Sequence, residues 1–319
     1  MVIIFSDCTD FTTTHVIYWL CYYKLNFKVI TPETKIEFKN FSIKNFILMV
    51  NGEEICSTKI KGFWYRRGEL TLEKLNYSFG PNDYLLRNFL EAERRSSLSY
   101  IYTTIENISA KIGSFWGNSI NRLDVLTEAS YLGLVIPKFL VTNSKFDLRN
   151  FYISNKPKGI VLKNFSEGVF FQIEDIFYKY YTKKIDNSFI KNIPNKFPPC
   201  LFMEYFDKLF EIRAFVLFDK VFSMVIINSE DTVDIKKSEK ANKVRYSPFI
   251  LPKGISSKLV KLVKQLKIQS GSVDLLVNKN GDFCFLEINP IGQFGHLSRI
   301  CNLNLEKLIA KYFYEQTSL

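Results

Sequence analysis

The chain is 319 residues long, about two domains by size, and its 47% hydrophobic and 24% charged residues are the proportions of an ordinary globular protein. That composition excludes disorder, coiled coil and collagen, and no apolar run is long enough to span a membrane. The net charge of +11 points to an anionic partner, which nucleic acid, a membrane surface, a nucleotide or an acidic peptide would each satisfy.

Val2–Phe5 is a short buried-strand run, followed by turn and cap chemistry at Ser6-Asp7 and Thr9-Asp10. Val16, Ile17, Trp19, Leu20 and Tyr23 then recur at helical spacing, and Asn26–Ile30 resumes a strand. This βαβ opening predicts an α/β domain over residues 1–110. No G-x-G-x-x-G follows the first strand, so dinucleotide binding is not indicated. Phe46–Val50 and Gly62–Tyr65 read as further strands, and an amphipathic helix from Asp83 to about Ile108 closes the domain. A second region, 111–195, opens with Ser119 as N-cap, a helix lined by Ile120, Leu123, Leu126 and Tyr131, and Gly133 as the terminating glycine. Strands at Phe139–Thr142 and Gly159–Lys163 follow, separated by the polar stretch Asn143–Pro157. The third region, 196–319, begins with the strand Cys200–Tyr205. It continues through two hairpins, a helix over Ser257–Gln269 and a closing helix near Asn304–Tyr314.

Cys8, Cys21, Cys56, Cys200, Cys284 and Cys301 form no C-x-x-C pair, and the only histidines are His15 and His296, so a thiolate zinc site is not expected. The apolar start stops at Asp7, too short for a signal-peptide core, and a reducing cytoplasm is the expected compartment.

The chemistry concentrates in 272–290. Two apolar runs flank Asn280-Gly281, the strongest short hairpin signal. With Asn280-Gly281 as a two-residue loop, Asp274 falls opposite Glu287, and Asn289 points to the same face. Two unpaired carboxylates there would repel, and one would have to protonate unless a cation intervenes. Hard oxygen donors with open positions suit Mg²⁺ held together with a nucleotide. The alternative is that Asp274 or Glu287 pairs with Lys or Arg across the sheet. In the preceding hairpin, Glu211–Phe218 and Val221–Ile227 flank Asp219-Lys220. Glu211 and Arg213 share a face there, either as a cation beside a phosphate or as an ordinary ion pair. Lys163 ends an apolar strand, as edge protection or as a phosphate contact.

Asn121-Arg122 opening a helix, Gly133-Leu-Val-Ile-Pro137, Val161-Leu-Lys163, Met203-Glu-Tyr205, Glu211-Ile-Arg213, Asp274 and Leu286-Glu-Ile-Asn-Pro290 together resemble the ATP-grasp superfamily in order and spacing. The resemblance is closest to the microviridin-type (graspetide) ligases that macrocyclise ribosomal peptides, in particular the grasp-with-spasm maturases. The narrower match lies in the opening Ile-Ile-Phe-Ser, Phe63-Trp-Tyr-Arg-Arg67, Val244-Arg-Tyr-Ser-Pro-Phe-Ile-Leu-Pro252 and Asn289-Pro-Ile-Gly-Gln-Phe294. It implies an α/β and α+β architecture, the ATP-grasp fold preceded by an α/β pre-ATP-grasp domain. It also implies ATP and Mg²⁺ as cofactors. On the matching positions, Lys163 would contact phosphates, Met203, Glu204 and Tyr205 would form the adenine hinge, and Glu211 would face the ribose. Arg213 would face the phosphates or an acyl phosphate, and Asp274, Glu287 and Asn289 would hold magnesium. Where relatives often carry Lys, this chain has Arg122, which could bind phosphate bidentately. The Asn164–Gly168 loop would cover the phosphates.

The chemistry implied is ATP-dependent condensation within a precursor peptide that carries a leader and a core of Thr, Ser or Lys with Asp or Glu. Arg66 and Arg67 are candidates for peptide contact, or else a solvated strand end. Neither nucleic acid nor a membrane is expected as partner; a homodimer is compatible. Two alternatives stay open: a ligase adding a free amino acid to a peptide or protein, and a basic nucleic-acid-binding protein whose carboxylates are structural.

Overall fold

The computed structural model describes the chain except for residues 44, 73–82, 118–119, 166–169, 174–175, 180–181, 229–243 and 318–319. Its contacts divide it into two compact units: residues 1–118 with 293–298 and 304–319, and residues 119–292 with 299–303.

In the first unit, four parallel strands run in the order Phe27–Ile30, Val2–Phe5, Gly62–Tyr65, Ala110–Ile112. Val2–Phe5 and Gly62–Tyr65 lie at the centre and are buried throughout, which is why they read as unbroken apolar runs. The helix Phe11–Tyr22 crosses between the first two strands, with Asp10 as N-cap accepting from the N–H groups of Thr12 and Thr13. The helix Asp83–Glu106 presents Leu98, Ile101, Tyr102 and Ile105 to the core, at the spacing of one helical face. A second sheet of three antiparallel strands, Ile36–Ser42, Asn45–Val50 and Glu53–Cys56, was legible only in its middle strand. Its outer strands are largely exposed and lack the apolar alternation of a half-buried strand.

The closing helix, Leu305–Thr317, belongs to this first unit and not to the region 196–319 where the sequence places it. It packs on the helix Phe11–Tyr22, and Tyr314 stacks on Tyr23 with ring centroids 5.0 Å apart. Gly62 makes room for it: a Cβ there would lie 3.0 Å from the Phe313 ring.

The second unit opens with the helix Arg122–Tyr131, whose cap is Asn121, accepting from the Leu123 N–H at 2.9 Å. The expected cap, Ser119, lies outside the described residues. Gly133 ends the helix at φ +73°, with its own N–H on Ser130 O and that of Leu134 on Ala129 O. This is a Schellman closure, and it needs the left-handed residue that glycine supplies. A four-stranded antiparallel sheet follows, ordered Lys183–Ile185, Ile160–Lys163, Lys196–Glu204, Phe139–Ser144. The polar stretch after Ser144 folds as the helix Lys145–Ser154, where the Ser144 hydroxyl accepts from the Asp147 N–H. Ser144 with Asp147 three residues on is a capping pattern.

A five-stranded antiparallel sheet completes the unit, ordered Val244–Pro248, Lys220–Asn228, Phe210–Leu217, Ser270–Val277, Phe283–Asn289. Ile212, Ala214, Val273, Leu275 and Phe285 pack with Leu126, Ala129, Leu259 and Leu262 in its core. The helix beside this sheet is Lys253–Gln265, earlier than the expected Ser257–Gln269. It ends early because Lys267 turns to φ +56° and Ile268 N–H closes back on Val263 O. Among the described residues no helix is long and apolar enough to cross a membrane.

Candidate active site

Two hairpins of the five-stranded sheet carry the charged residues, and both turn differently from expectation. In the first, Leu217 pairs with Lys220, so the loop is Phe218-Asp219 rather than Asp219-Lys220, and Phe218 takes φ +55°. In the second, Val277 pairs with Phe283, leaving a loop of residues 278–282 in place of the two-residue turn. The Asn278 side-chain oxygen organises that loop, accepting from the N–H groups of Asn280 and Asp282, each at 2.9 Å. Near the loop the strands are therefore one residue out of the expected register. A bulge at Leu286 then restores it, so that Asp274 stands opposite Glu287 and Ser272 opposite Asn289. Two departures offset each other.

Arg213 on the neighbouring strand is the cross-strand partner of Asp274, so Arg213, Asp274 and Glu287 form one row across three strands. Arg213 Nε donates to Asp274 Oδ1 at 2.9 Å and Nη2 to Oδ2 at 3.4 Å. Glu287 Oε2 accepts from Arg122 Nη2 at 2.6 Å, with Lys163 Nζ 3.8 Å from the same oxygen. Arg122 also donates through Nη1 to the carbonyl of Asn164, the residue after Lys163. A helix start, the end of a strand in the four-stranded sheet and three strands of the five-stranded sheet thus converge. The expected pair of unpaired, repelling carboxylates is not what the protein contains. Each has a basic partner, as the alternative of pairing with Lys or Arg required. Three cations face two carboxylates, so the patch keeps a net positive charge that attracts phosphate.

The donor chemistry fits magnesium with one adjustment. Among the described residues there is no group of three or more His, Cys, Asp and Glu that could hold a metal. Mg²⁺ needs no such cage, because one or two carboxylates plus phosphate oxygens and waters are its usual protein-side set. Asp274 and Glu287, opposite each other, are the two carboxylates that would supply it. Asn289 is less ready, since its Oδ1 already accepts from the N–H groups of Ile291 and Gly292 at 3.0 and 3.2 Å.

The remaining candidates are placed as follows. Met203 is buried, Glu204 accepts from Lys158 Nζ at 2.8 Å, and Lys184 Nζ lies 3.8 Å from the Tyr205 ring centroid. The backbone N–H of Glu204 donates to Lys138 O and that of Tyr205 to Gly159 O, so this segment is fixed from both sides. Glu211 pairs with Lys208 rather than Arg213. Burial raises its carboxyl above the usual range, with the Lys208 charge opposing. Arg66 and Arg67 belong to the first unit. Arg66 is only 2% exposed, with Nε on Asp10 Oδ2 at 3.1 Å and its guanidinium 5.7 and 5.4 Å from the Trp64 and Phe294 rings. It is neither a solvated strand end nor presented to solvent. Arg67 is more open and donates to Asp7 Oδ2 at 3.3 Å. All six cysteines are free, and burial pushes the Cys284 thiol up to about 12, which leaves it inert near neutrality.

No protein-family model matches the chain, and no curated protein does. Solved structures do. The macrocyclase MdnC from Microcystis aeruginosa MRC, bound with precursor peptide MdnA, superposes with a TM-score of 0.79 at 22% identity, covering 99% of each chain. The fold is that of the ATP-grasp ligases. A RiPP-associated ATP-grasp ligase from Chryseobacterium gregarium, in complex with ADP and a leader and core peptide, matches at 0.78 and 20% identity over 98% of this chain and 95% of its own. The ATP-grasp ligase PsnB, complexed with minimal precursor, Mg and ADP, matches at 0.72 and 16% identity over 100% of this chain and 98% of its own. Both units of this chain, α/β and α+β, thus have counterparts in complete ATP-grasp ligases.

Proposed function

We propose that the chain is an ATP-dependent ligase that activates side-chain carboxylates of a ribosomally made precursor peptide as acyl phosphates and closes intramolecular ω-ester or ω-amide crosslinks. The observation that carries this reading is the row Arg213–Asp274–Glu287 with Arg122 and Lys163 against it. It supports phosphoryl transfer in a fold shared, end to end, with peptide-bound ATP-grasp ligases.

In this reading Lys163 and Arg122 leave Glu287 for the β- and γ-phosphates, and Arg213 faces the phosphoryl group in transit. Met203, Glu204 and Tyr205 hold the adenine and Glu211 the ribose. Asp274 and Glu287 would hold Mg²⁺, and Asn289 would join them if its Oδ1 were released from the Ile291 or Gly292 N–H. When bound, Mg²⁺ neutralises phosphate charge and orients the transfer. A peptide carboxylate oxygen bonds to the γ-phosphorus as the bond to ADP breaks. A Ser or Thr hydroxyl, or a Lys amine, then bonds to the acyl carbon and loses its proton, while phosphate departs with the electron pair. Position and charge neutralisation are the protein's contribution. Arg67 is the more accessible of the two arginines for peptide contact, and a cytoplasmic location belongs to the same proposal, since the reaction draws on ATP.

The direct test mixes the chain with ATP, Mg²⁺ and the short peptide encoded beside it, and follows peptide mass. One water lost per bridge is the expected result. Addition of a free amino acid in its place would transfer the reading to the other ligase class. Binding has its own readout: Mg-ADP at about 100-fold over Kd should stabilise the fold by about 2.7 kcal/mol, seen as a raised melting temperature. Lys163→Ala should weaken nucleotide binding about tenfold or more, the loss of one charge-assisted contact, with little change in melting of the ligand-free protein. Normal nucleotide affinity in that variant would leave Lys163 only as a neighbour of Glu287, because its strand lies inside the four-stranded sheet and the expected alternative of edge protection does not apply.

A further inference from the structure

The sheet face that carries Arg213, Asp274 and Glu287 continues one row further, through Phe215, Ser272 and Asn289. Residues two apart on a strand share a face, so Ser272 stands beside Asp274, and Asn289 beside Glu287. The other face is the core, where Ile212, Ala214, Val273, Leu275 and Ile288 are buried. Ser272 Oγ is a buried atom with no hydrogen-bond partner among the described residues. It lies under the turn after Asn289: a Cβ on Gly292 would come 3.0 Å from the Phe215 ring and 3.1 Å from Ser272 Oγ. Asn289, opposite, uses only its oxygen, which accepts from the N–H groups of Ile291 and Gly292 at 3.0 and 3.2 Å. Its Nδ2 donates to no group among the described residues. Buried polar groups are nearly always paired, so an orphan hydroxyl across from an unused amide donor calls for a reason.

We propose that Ser272 is a positioning residue for Asn289. When Oδ1 turns from the Ile291 and Gly292 N–H groups toward Mg²⁺, Nδ2 donates to Ser272 Oγ, which fixes the amide with its oxygen on the metal side. The inference rests on the reading that Asp274, Glu287 and Asn289 hold Mg²⁺. An amide carries an acceptor on one arm and donors on the other, so an acceptor facing the nitrogen arm selects the ligating orientation. The two backbone N–H groups do the reverse and hold Oδ1 back. Reach is adequate, because directly opposed residues have Cβ atoms about 4.5–5.5 Å apart. The other acceptors on this face are engaged, Asp274 by Arg213 and Glu287 by Arg122, and Phe215 offers none. Ser272 is the acceptor left, and being neutral it adds no charge beside the carboxylates.

Calorimetry of ADP binding to the full chain, in saturating Mg²⁺ and in EDTA, gives the factor by which the metal tightens the nucleotide. Ser272→Ala should shrink that factor about tenfold, as when an outer partner of a metal ligand is removed. Affinity in EDTA should not change, and the ligand-free protein should melt no lower than wild type, since an unsatisfied hydroxyl is gone. Ser272→Cys nearly keeps the volume but offers only a weak acceptor, so it should match Ser272→Ala, and it carries the test if the alanine variant folds poorly. In an Asn289→Ala background, Ser272→Ala should shrink the factor no further, because Ser272 acts through Asn289. Full additivity of the two substitutions overturns the inference, and so does an equal loss of ADP affinity with and without metal. A wild-type factor in Ser272→Ala and Ser272→Cys, with Asn289→Ala impaired, removes Ser272 alone and leaves the metal reading standing. A wild type that binds ADP equally in Mg²⁺ and EDTA overturns the metal reading itself, and the inference with it.

Discussion

Glu287→Gln is expected to cut turnover by about three orders of magnitude while lowering the melting temperature only slightly. The large effect follows from the proposed site: one of two carboxylates balancing Mg²⁺ and the polyphosphate is lost, a contribution of several kcal/mol in the transition state. The small one follows from the structure. Glu287 is 35% exposed and takes a single close hydrogen bond from Arg122 at 2.6 Å, a part-exposed pair of at most about 1 kcal/mol. Taken from sequence, with Asp274 and Glu287 facing each other unpaired, the same change would leave the fold unaffected or stabilise it. Arg122 and Lys163 reverse that sign. Peptide dehydration and thermal melting, measured side by side on one preparation, separate the two effects. Turnover equal to wild type would remove Glu287 from the metal site. A raised melting temperature would show that repulsion from Asp274 outweighs the Arg122 pair.

What was legible in the sequence tracks how local and how buried each feature is. Val2–Phe5 and Gly62–Tyr65 stand out because central parallel strands are apolar on both faces. Ile36–Ser42 and Glu53–Cys56 do not, since most of their side chains meet solvent and no period-2 pattern survives. The helix Lys145–Ser154 is hidden for a similar reason, with Leu148 its one buried residue. In the site, the opposition of Asp274 and Glu287 could be read because a hairpin is a short-range object. Even so, the turn was wrong, and only the bulge at Leu286 brought the pair back into line. The partner of Glu287 could not be read at all. Arg122 is 165 positions away, and no periodicity links a helix N-terminus to a strand in another sheet. Arg66 illustrates the converse. Following an apolar strand it reads as a solvated end, whereas Asp10 and Phe294, distant in sequence, enclose it.

That enclosure predicts a large loss of stability from a single substitution. Asp10→Ala should destabilise the first unit by about 4 kcal/mol. Arg66 and Asp10 have side chains only 2% and 7% exposed, and removing one member of a buried pair costs about 3–5 kcal/mol because the other charge stays desolvated. Asp10 is also the N-cap of the helix Phe11–Tyr22, a role whose loss costs about 1 kcal/mol. Asp10→Asn separates the two roles, because the amide oxygen can still cap the helix while the charge facing Arg66 is gone. It should therefore recover about the capping part and no more. Acidity gives a second signature. Burial alone would raise the Asp10 carboxyl, but the charge and hydrogen bonds of Arg66 outweigh it and hold the group below its usual value. A carboxyl depressed in the folded state contributes stability above its unfolded pKa of about 3.9 and loses it as pH falls through the folded value. The gap between wild type and Asp10→Asn should accordingly be constant near neutrality and narrow below about pH 4. Denaturant melts of the three proteins at neutral and acid pH measure all of this. An Asp10→Ala variant within about 1 kcal/mol of wild type at neutral pH would mean that Arg66 is held by its aromatic neighbours Trp64 and Phe294 rather than by the charge of Asp10.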